Sequence, residues 1–247
     1  MLVLDTTPSP LRAIILAPAL AQDVAYAGEL YAIIKTFYNI VMRKKETQIL
    51  YIHGGMTFKS QRDYLHFLRH RNVSLEKKLG WNGTYLDEKL GRHFKVIRPR
   101  MPLQDNAKYS EWAIHFEQYI PKLQHNSILI GESLGGIFLA KYLSENKFTK
   151  KLKAVFLVCP PFDNSLPDED LVGGFVLKKN LSKLDKSTKR LYLLFSKNDP
   201  VVPPSQAAKY AAKLKKANII IYDHIAGHFQ VSEFPEVIKF IKAAIKK

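Results

Sequence analysis

From residue 47 onward, short apolar runs alternate with longer segments in which apolar residues recur at helical spacing. The runs are continuously apolar, which is typical of strands covered on both faces of a sheet. They predict six strands, at residues 48–52, 95–98, 127–131, 154–159, 191–196 and 218–222. The helical spacing predicts helices at residues 109–123, 135–146, 205–216 and 235–246.

Strands that alternate with helices along a chain form parallel sheets, because each helix carries the chain back across the sheet by a right-handed crossover. The pattern therefore predicts an α/β fold with a mostly parallel six-stranded sheet and helices on both faces. In such sheets the chemistry collects beyond the carboxyl ends of the strands. The loops that follow the strands are thus the place to look for a site.

Residues 1–41 carry no motif, and we expect them to be an N-terminal extension that is either helical, at residues 24–41, or poorly ordered. The α/β domain is expected at residues 42–247, because the basic lead after Met42 runs directly into the first strand. An Ala-x-Ala triplet at 19–21 imitates a signal-peptide cleavage site but has no basic start before it. We expect a cytoplasmic protein, with export through an N-terminal signal as the alternative.

The composition excludes several classes of protein. Lys and Arg number 38 against 22 Asp and Glu, a net charge of +16 that could attract nucleic acid or membranes. The lysines are spread along the chain without nucleic-acid motifs, so no nucleic-acid partner is expected. No apolar run reaches about 18 residues, so stable membrane insertion is not expected. Cys159 is the single cysteine, which rules out an internal disulfide. The oligomeric state is left open.

A serine, an aspartate and a histidine each follow a separate strand, in the order Ser133, Asp199, His228. Together these residue types can perform nucleophilic catalysis. The stretch GESLG, residues 131–135, matches the Gly-x-Ser-x-Gly turn that exposes a serine between a strand and a helix. A serine hydroxyl needs a base, for which His228 is the candidate. The base needs a carboxylate; Asp199 is favoured, and Asp163 in the loop after the fourth strand is the alternative.

An acyl-transfer site also needs two donors to an oxyanion and a pocket for substrate. The first donor is expected to be the amide of Leu134, and the second the amide of Gly55 or Met56. The residues expected to line an apolar substrate pocket are Phe58, Met101, Phe162 and Phe175. His66 and His70 have metal-ligand spacing but lack a third ligand, so no metal site is expected.

The motifs HGG, GESLGG, SKNDPVVP and GHF resemble the α/β-hydrolase superfamily. The sequence RPRMP at residues 98–102, Trp112 and the absence of a large cap domain are similar to small serine hydrolases of the retinoblastoma-binding protein nine type. This resemblance spans residues 48–247. It implies a triad of Ser133, Asp199 and His228, an acyl-enzyme, and hydrolysis of a small-molecule ester, amide or thioester without a cofactor.

Two segments depart from that family: residues 57–94 are longer than a minimal member needs and can roof the site, and residues 1–41 have no counterpart in it. Residues 57–94 and 162–188 are the two insertions around the site. Substrate specificity is expected to lie in these two segments. Two other functions remain open from the sequence. The chain could be a non-catalytic binding protein on the same scaffold, or an acyltransferase in which another alcohol or amine replaces water.

Overall fold

A computed structural model describes residue 28 and residues 30–35, 46–76, 80–167 and 169–246. The chain divides into two compact units, Met1–Lys45 and Glu46–Lys247. The described residues of the first unit are helical and fall inside the helix predicted at 24–41. The rest of that helix lies outside the described residues, and the N-terminal extension stays a prediction.

The second unit contains one sheet of six parallel strands in the order β2-β1-β3-β4-β5-β6. The strands are β1 Thr47–Ile52, β2 Phe94–Ile97, β3 Ser127–Glu132, β4 Leu152–Val158, β5 Leu191–Ser196 and β6 Asn218–Tyr222. The predicted α/β class and strand count are confirmed. The strand order reverses between β1 and β3, where Ile52 pairs with Gly131. Ligands bind at such switch points of open parallel sheets, beyond the carboxyl ends of the strands.

Helices connect the strands and pack on the sheet. They are α1 Gln61–His70, α2 Thr84–Leu90, α3 Tyr109–Glu117, α4 Leu134–Glu145, α5 Ser182–Ser187, α6 Ser205–Ala211 and α7 Pro235–Ile245. The helix predicted at 109–123 ends early and continues as a short 3-10 turn, Ile120–Lys122. Pro121 explains the break, because proline lacks the amide that an α-helix needs at that point. Within the described residues, no helix is long and apolar enough to cross a membrane.

The core lies between the sheet and α4, which is buried from Leu134 to Ser144 because it packs against both β3 and β4. An aromatic cluster fills the space between α3 and α4, where Trp112 and Phe116 meet Phe138 edge to face. Edge-to-face pairs add stabilisation beyond the apolar area that they bury. This packing fixes the start of α4 directly against the end of β3.

Candidate active site

Ser133 occupies the turn between β3 and α4 with φ 51° and ψ −118°, an uncommon conformation for a residue with a side chain. The turn is held by a hydrogen bond from the Ser133 amide to the Val158 carbonyl at 2.8 Å. The Ser133 carbonyl accepts from the Gly136 amide, also at 2.8 Å, and so begins the helix. The strained turn therefore presents the serine side chain beyond the strand ends.

Glycine is required on both sides of Ser133 because backbone segments meet there. A Cβ atom on Gly131 would lie 2.7 Å from the carbonyl carbon of Gly135. A Cβ atom on Gly135 would lie 2.6 Å from the carbonyl oxygen of His53, at the end of β1. Real Cβ atoms do not approach backbone atoms so closely, so the spacing of the motif follows from packing at the switch point.

His228 and Asp199 form a hydrogen-bonded pair at the ends of β6 and β5. Nδ1 of His228 lies 2.7 Å from Oδ2 of Asp199, whose side chain is fully buried. The other carboxylate oxygen accepts from the amides of Val201 and Val202, both at 2.9 Å. Ser196 Oγ donates to the Ile225 carbonyl at 2.6 Å and so joins the two loops. The arrangement leaves Nε2 of the imidazole as the atom that can accept a proton.

Asp163, the alternative acid, lies in a different set of contacts. Its carboxylate binds Nζ of Lys209 at 2.7 and 2.8 Å and accepts from the Ser165 hydroxyl at 2.6 Å. Burial acts to raise its pKa, but the hydrogen bonds from Lys209 and Ser165 outweigh burial and lower the pKa to about 2. The structure thus brings Asp199 to His228 and pairs Asp163 with a lysine.

Cys159 directly follows β4, and its Sγ lies 3.7 Å from Nε2 of His228. The side chain is fully buried, and this burial raises the pKa of the thiol. The thiol is therefore neutral at neutral pH. Sequence patterns gave Cys159 no role beyond a core residue, because its closeness to His228 depends on the pairing of distant strands.

Ser133 and His228 line the same cavity, which has a volume of about 390 Å³. The other residues that line it are mostly polar: Tyr51, His53, Gly54, Gly55, Met56, Asn82, Gln104, Asp105, Glu132, Glu169 and Gln230. Asn82 and Glu169 come from the two long segments after β1 and β4, so both segments contribute to the lining of this cavity. A cavity with this lining differs from the apolar pocket expected from the sequence.

The four apolar residues expected to form that pocket do not line this cavity. Met101 and Phe175 are both buried in the core. Phe175 packs edge to face on Trp112. Phe162 packs edge to face on Tyr210 at a centroid distance of 5.0 Å. Phe58 lines a neighbouring cavity with α1. Burial of Met101 and Phe175 follows from the hydrophobic effect. The substrate pocket itself stays a prediction.

The backbone amides proposed as oxyanion donors differ in the hydrogen bonds that they already form. Within the described residues, no backbone hydrogen bond engages the amide of Leu134 at the start of α4. Gly54 lies against the serine, since a Cβ placed on it would be 3.8 Å from Ser133 Oγ. The Met56 amide donates to the Gln104 carbonyl at 2.9 Å. Among the described residues, the Gly55 amide donates no such backbone hydrogen bond. Of the two alternatives for the second donor, Gly55 is therefore the better candidate.

The β1 loop is held in place by His53. Its Nδ1 donates to the Gly54 carbonyl at 2.6 Å, and its Nε2 accepts from the Met101 amide at 2.9 Å. A neutral imidazole can make both bonds at once only in the tautomer with the proton on Nδ1. His53 thus fixes the glycines that face Ser133.

Glu132, the residue directly before Ser133, belongs to a second network of side-chain hydrogen bonds. Its Oε2 accepts from the Tyr51 hydroxyl and from Nδ2 of Asn82, the latter at 2.7 Å. Burial raises the pKa of Glu132, although both hydrogen bonds oppose this. Sequence reasoning treated Glu132 only as the variable position of the motif. Its place beside Ser133 was the signal that could have identified it.

The residues with metal-ligand potential do not form a separate centre. The rings of His66 and His70 stack at 4.1 Å on the exposed face of α1. Among the described residues, one group of three ligand-type atoms lies within 4.8 Å of one another, and it consists of Cys159, Asp199 and His228. In this group, Asp199 and Cys159 contact the two ring nitrogens of His228, at Nδ1 and Nε2 respectively.

Comparison with known proteins places this geometry in a family. A family model described as serine hydrolase matches residues 78–242. The chain belongs to the serine hydrolase family. A curated relative in this family, Serine hydrolase RBBP9 from Rattus norvegicus, is 26% identical over 168 residues, which cover 67% of this chain and 85% of that protein. The resemblance seen in the motifs is confirmed.

Solved structures support the fold. The ydeN gene product from B. subtilis superposes with a TM-score of 0.63 at 21% identity, covering 81% of this chain and all of that one. A putative yden-like hydrolase from Pectobacterium atrosepticum gives a TM-score of 0.54 at 15% identity, covering 85% and 98%. The serine hydrolase thus has the α/β-hydrolase architecture predicted from its sequence.

Proposed function

We propose that this serine hydrolase cleaves carboxylic esters through a covalent acyl-serine intermediate. Ser133 Oγ attacks the ester carbonyl while Nε2 of His228 takes its proton. The imidazolium then protonates the departing alcohol, and the acyl group stays on Ser133. A water molecule, deprotonated by the same nitrogen, releases the acid and restores the serine. Asp199 holds the imidazole through Nδ1 and stabilises its positive charge.

The observation that carries the proposal is the position of His228 between a buried carboxylate and the cavity that contains Ser133. A buried carboxylate at Nδ1 fixes the tautomer in which Nε2 is the base. The resting contact of Nε2 with Cys159 Sγ leaves the ring close to the wall of this cavity. The structure shows no hydrogen bond between Ser133 Oγ and Nε2 among the described residues; catalytic hydrogen bonds of this kind often tighten only when substrate is bound.

The negative charge of the tetrahedral intermediate needs donors on the side of Ser133 that faces β1. The Leu134 amide lies at the N-terminus of α4, whose dipole also favours an anion there. The Gly55 amide supplies the second hydrogen bond from a loop that His53 fixes. No metal or cofactor takes part in this scheme.

The proposal is tested with a fluorophosphonate probe, which reacts with activated serines. We expect stoichiometric labelling of the purified protein, located at Ser133 by peptide mass spectrometry. A Ser133→Ala variant should be unlabelled and should lose turnover of p-nitrophenyl esters by at least about a thousandfold. Ser127→Ala serves as the matched control, because that serine is buried in β3 away from the cavity.

Other outcomes separate the remaining functions. A folded protein that the probe does not label would be a binding protein on a hydrolase scaffold. Formation of a new ester or amide when an alcohol or amine is added, at a rate above hydrolysis, would indicate an acyltransferase. Parallel thioester and amide substrates establish which acyl bond is cleaved fastest.

A further inference from the structure

The residue before the proposed nucleophile is a glutamate whose side chain lines the cavity. A carboxylate next to Ser133 opposes the reaction proposed above, because the tetrahedral intermediate is itself an anion. Its presence at this point therefore calls for a compensating positive charge in the complex with substrate.

Protein groups hold the Glu132 side chain by one of its two oxygens. Oε2 accepts from Tyr51 and Asn82, and Asn82 Nδ2 also lies 2.6 Å from the Tyr51 hydroxyl. Tyr51 is 3% exposed, so this network is fixed in the core below the cavity. Both partners donate to the carboxylate and so favour its ionised form, although burial outweighs them and raises the pKa of Glu132. Oε1 accepts no hydrogen bond from any residue in the described ranges.

Among the described residues, no positively charged side chain around the cavity contacts Glu132 directly. No lysine or arginine lines it, although the chain as a whole has a net charge of +16. Asp105, at the rim, is paired with Arg71 at 3.1 Å. In the part of the chain that the structure describes, neither Glu132 nor Glu169 forms an ion pair. His228 also lines the cavity and its positive charge acts on Glu132 through space, but its ring is bound to Asp199 and forms no hydrogen bond with Glu132. A positive group that contacts Oε1 therefore has to come from outside the described residues.

We propose that Glu132 is a specificity residue that binds an ammonium group of the substrate. The inference rests on the ester hydrolysis proposed for Ser133 and names its substrate class: esters whose acyl part carries a primary ammonium group. Such a group donates to Oε1 and offsets the desolvated carboxylate, whereas a neutral chain leaves it unpaired. An anionic acyl chain is repelled by Glu132 and by Glu169.

The test uses p-nitrophenyl esters in matched pairs that differ only at the chain end. The ester of terminally aminated propanoate is compared with the butanoate ester, and that of terminally aminated hexanoate with the heptanoate ester. In each pair a methyl group replaces the ammonium group. The monoester of adipic acid supplies an anionic chain. We expect kcat/KM to be about tenfold or more higher for at least one amino ester than for its neutral partner, and lowest for the adipate ester.

Variants assign the preference to one residue. Glu132→Gln keeps the size of the side chain and removes its charge, and we expect the amino-to-neutral ratio to fall towards one. Glu88→Gln is the matched control, since it makes the same charge change on the exposed face of α2 outside the cavity. Its ratio should equal that of the unaltered protein. Fluorophosphonate labelling of each variant verifies that its site is folded.

The outcomes separate this inference from the function on which it rests. Hydrolysis of butanoate and heptanoate esters without preference for either amino ester overturns the ammonium site and leaves the esterase proposal standing. A preference that survives in Glu132→Gln overturns the role of Glu132. Absence of both labelling and hydrolysis with every ester overturns the esterase proposal itself. The comparison on the unaltered protein is decisive even if Glu132→Gln fails to fold.

Discussion

Nδ1 of His228 donates a 2.7 Å hydrogen bond to Oδ2 of Asp199, and the same carboxylate accepts two backbone amides through its other oxygen. Both oxygens are thus occupied by donors, and the carboxylate cannot rotate without losing them. The imidazole is held in one tautomer and one orientation. This relationship distinguishes Asp199 from Asp163, whose carboxylate is taken by Lys209.

Replacement of Asp199 by asparagine tests that distinction. An asparagine oxygen can satisfy the imidazole or the two backbone amides but not both, so the tautomer is disturbed. We expect Asp199→Asn to lower kcat for ester hydrolysis by roughly a thousandfold to ten-thousandfold. The matched change Asp163→Asn removes a partly exposed ion pair and should alter kcat by less than about threefold. A large loss in Asp163→Asn with little in Asp199→Asn would move the acid to the β4 loop.

The pKa of His228 determines the pH at which the base becomes active. Burial alone lowers this pKa, but the adjacent Cys159 and the Asp199 carboxylate outweigh burial and raise it. Because burial keeps the Cys159 thiol neutral, Asp199 is the anion that retains the proton on the ring at neutral pH. The base must be deprotonated to act. We therefore expect kcat/KM to rise with pH, with a midpoint above the ordinary histidine value of about 6.5.

The measurement is the pH profile of kcat/KM for a neutral ester. Removing the negative charge in Asp199→Asn should move the midpoint of its residual activity to lower pH, because the protonated ring loses its partner. A midpoint near or below about 6.5 in the unaltered protein would contradict the assignment. So would a rise centred near pH 4 to 5, the range of a carboxylate base.

The packing at the switch point makes Gly135 sensitive to substitution. A Cβ there would meet the backbone carbonyls of Ile52 and His53, and neither can move without distorting the end of β1. We expect Gly135→Ala to destabilise the protein by about 3 kcal/mol or more and to abolish fluorophosphonate labelling. Thermal unfolding measures the first effect. Gly83→Ala is the control, since its Cβ would lie 3.3 Å from one carbonyl. Equal melting temperatures for the two variants would refute this account.

Local patterns predicted the sheet because continuous apolar runs carry their own signal. The positions of Ser133 and His228 at one edge of the sheet could likewise be predicted, since each follows a strand and parallel strands end at one edge. The choice between Asp199 and Asp163 was not decided by sequence. Both aspartates follow strands, and only the three-dimensional path of each loop determines which one reaches the imidazole.

The cavity lining was the part that sequence predicted least well. Asn82 and Glu169 lie in segments whose path depends on contacts with distant residues, such as the hydrogen bond from Asn82 to Glu132. Met101 and Phe175 follow the rule that apolar loop residues bury themselves wherever the core has room. Composition alone does not say which loop residues face a cavity and which fill the core.

Cys159 is the one competing nucleophile in the described part of the site, and its environment predicts that it is inert. The thiol is fully buried, and burial raises its pKa, so the reactive thiolate is scarce at neutral pH. We expect Cys159→Ala to keep kcat within about threefold and to lower the melting temperature by about 2 to 4 °C, as loss of one buried sulfur costs on the order of 1 kcal/mol. Iodoacetamide should leave the native protein active. If Cys159→Ala abolishes turnover while Ser133→Ala retains it, the enzyme is a cysteine hydrolase and the role of Ser133 is wrong.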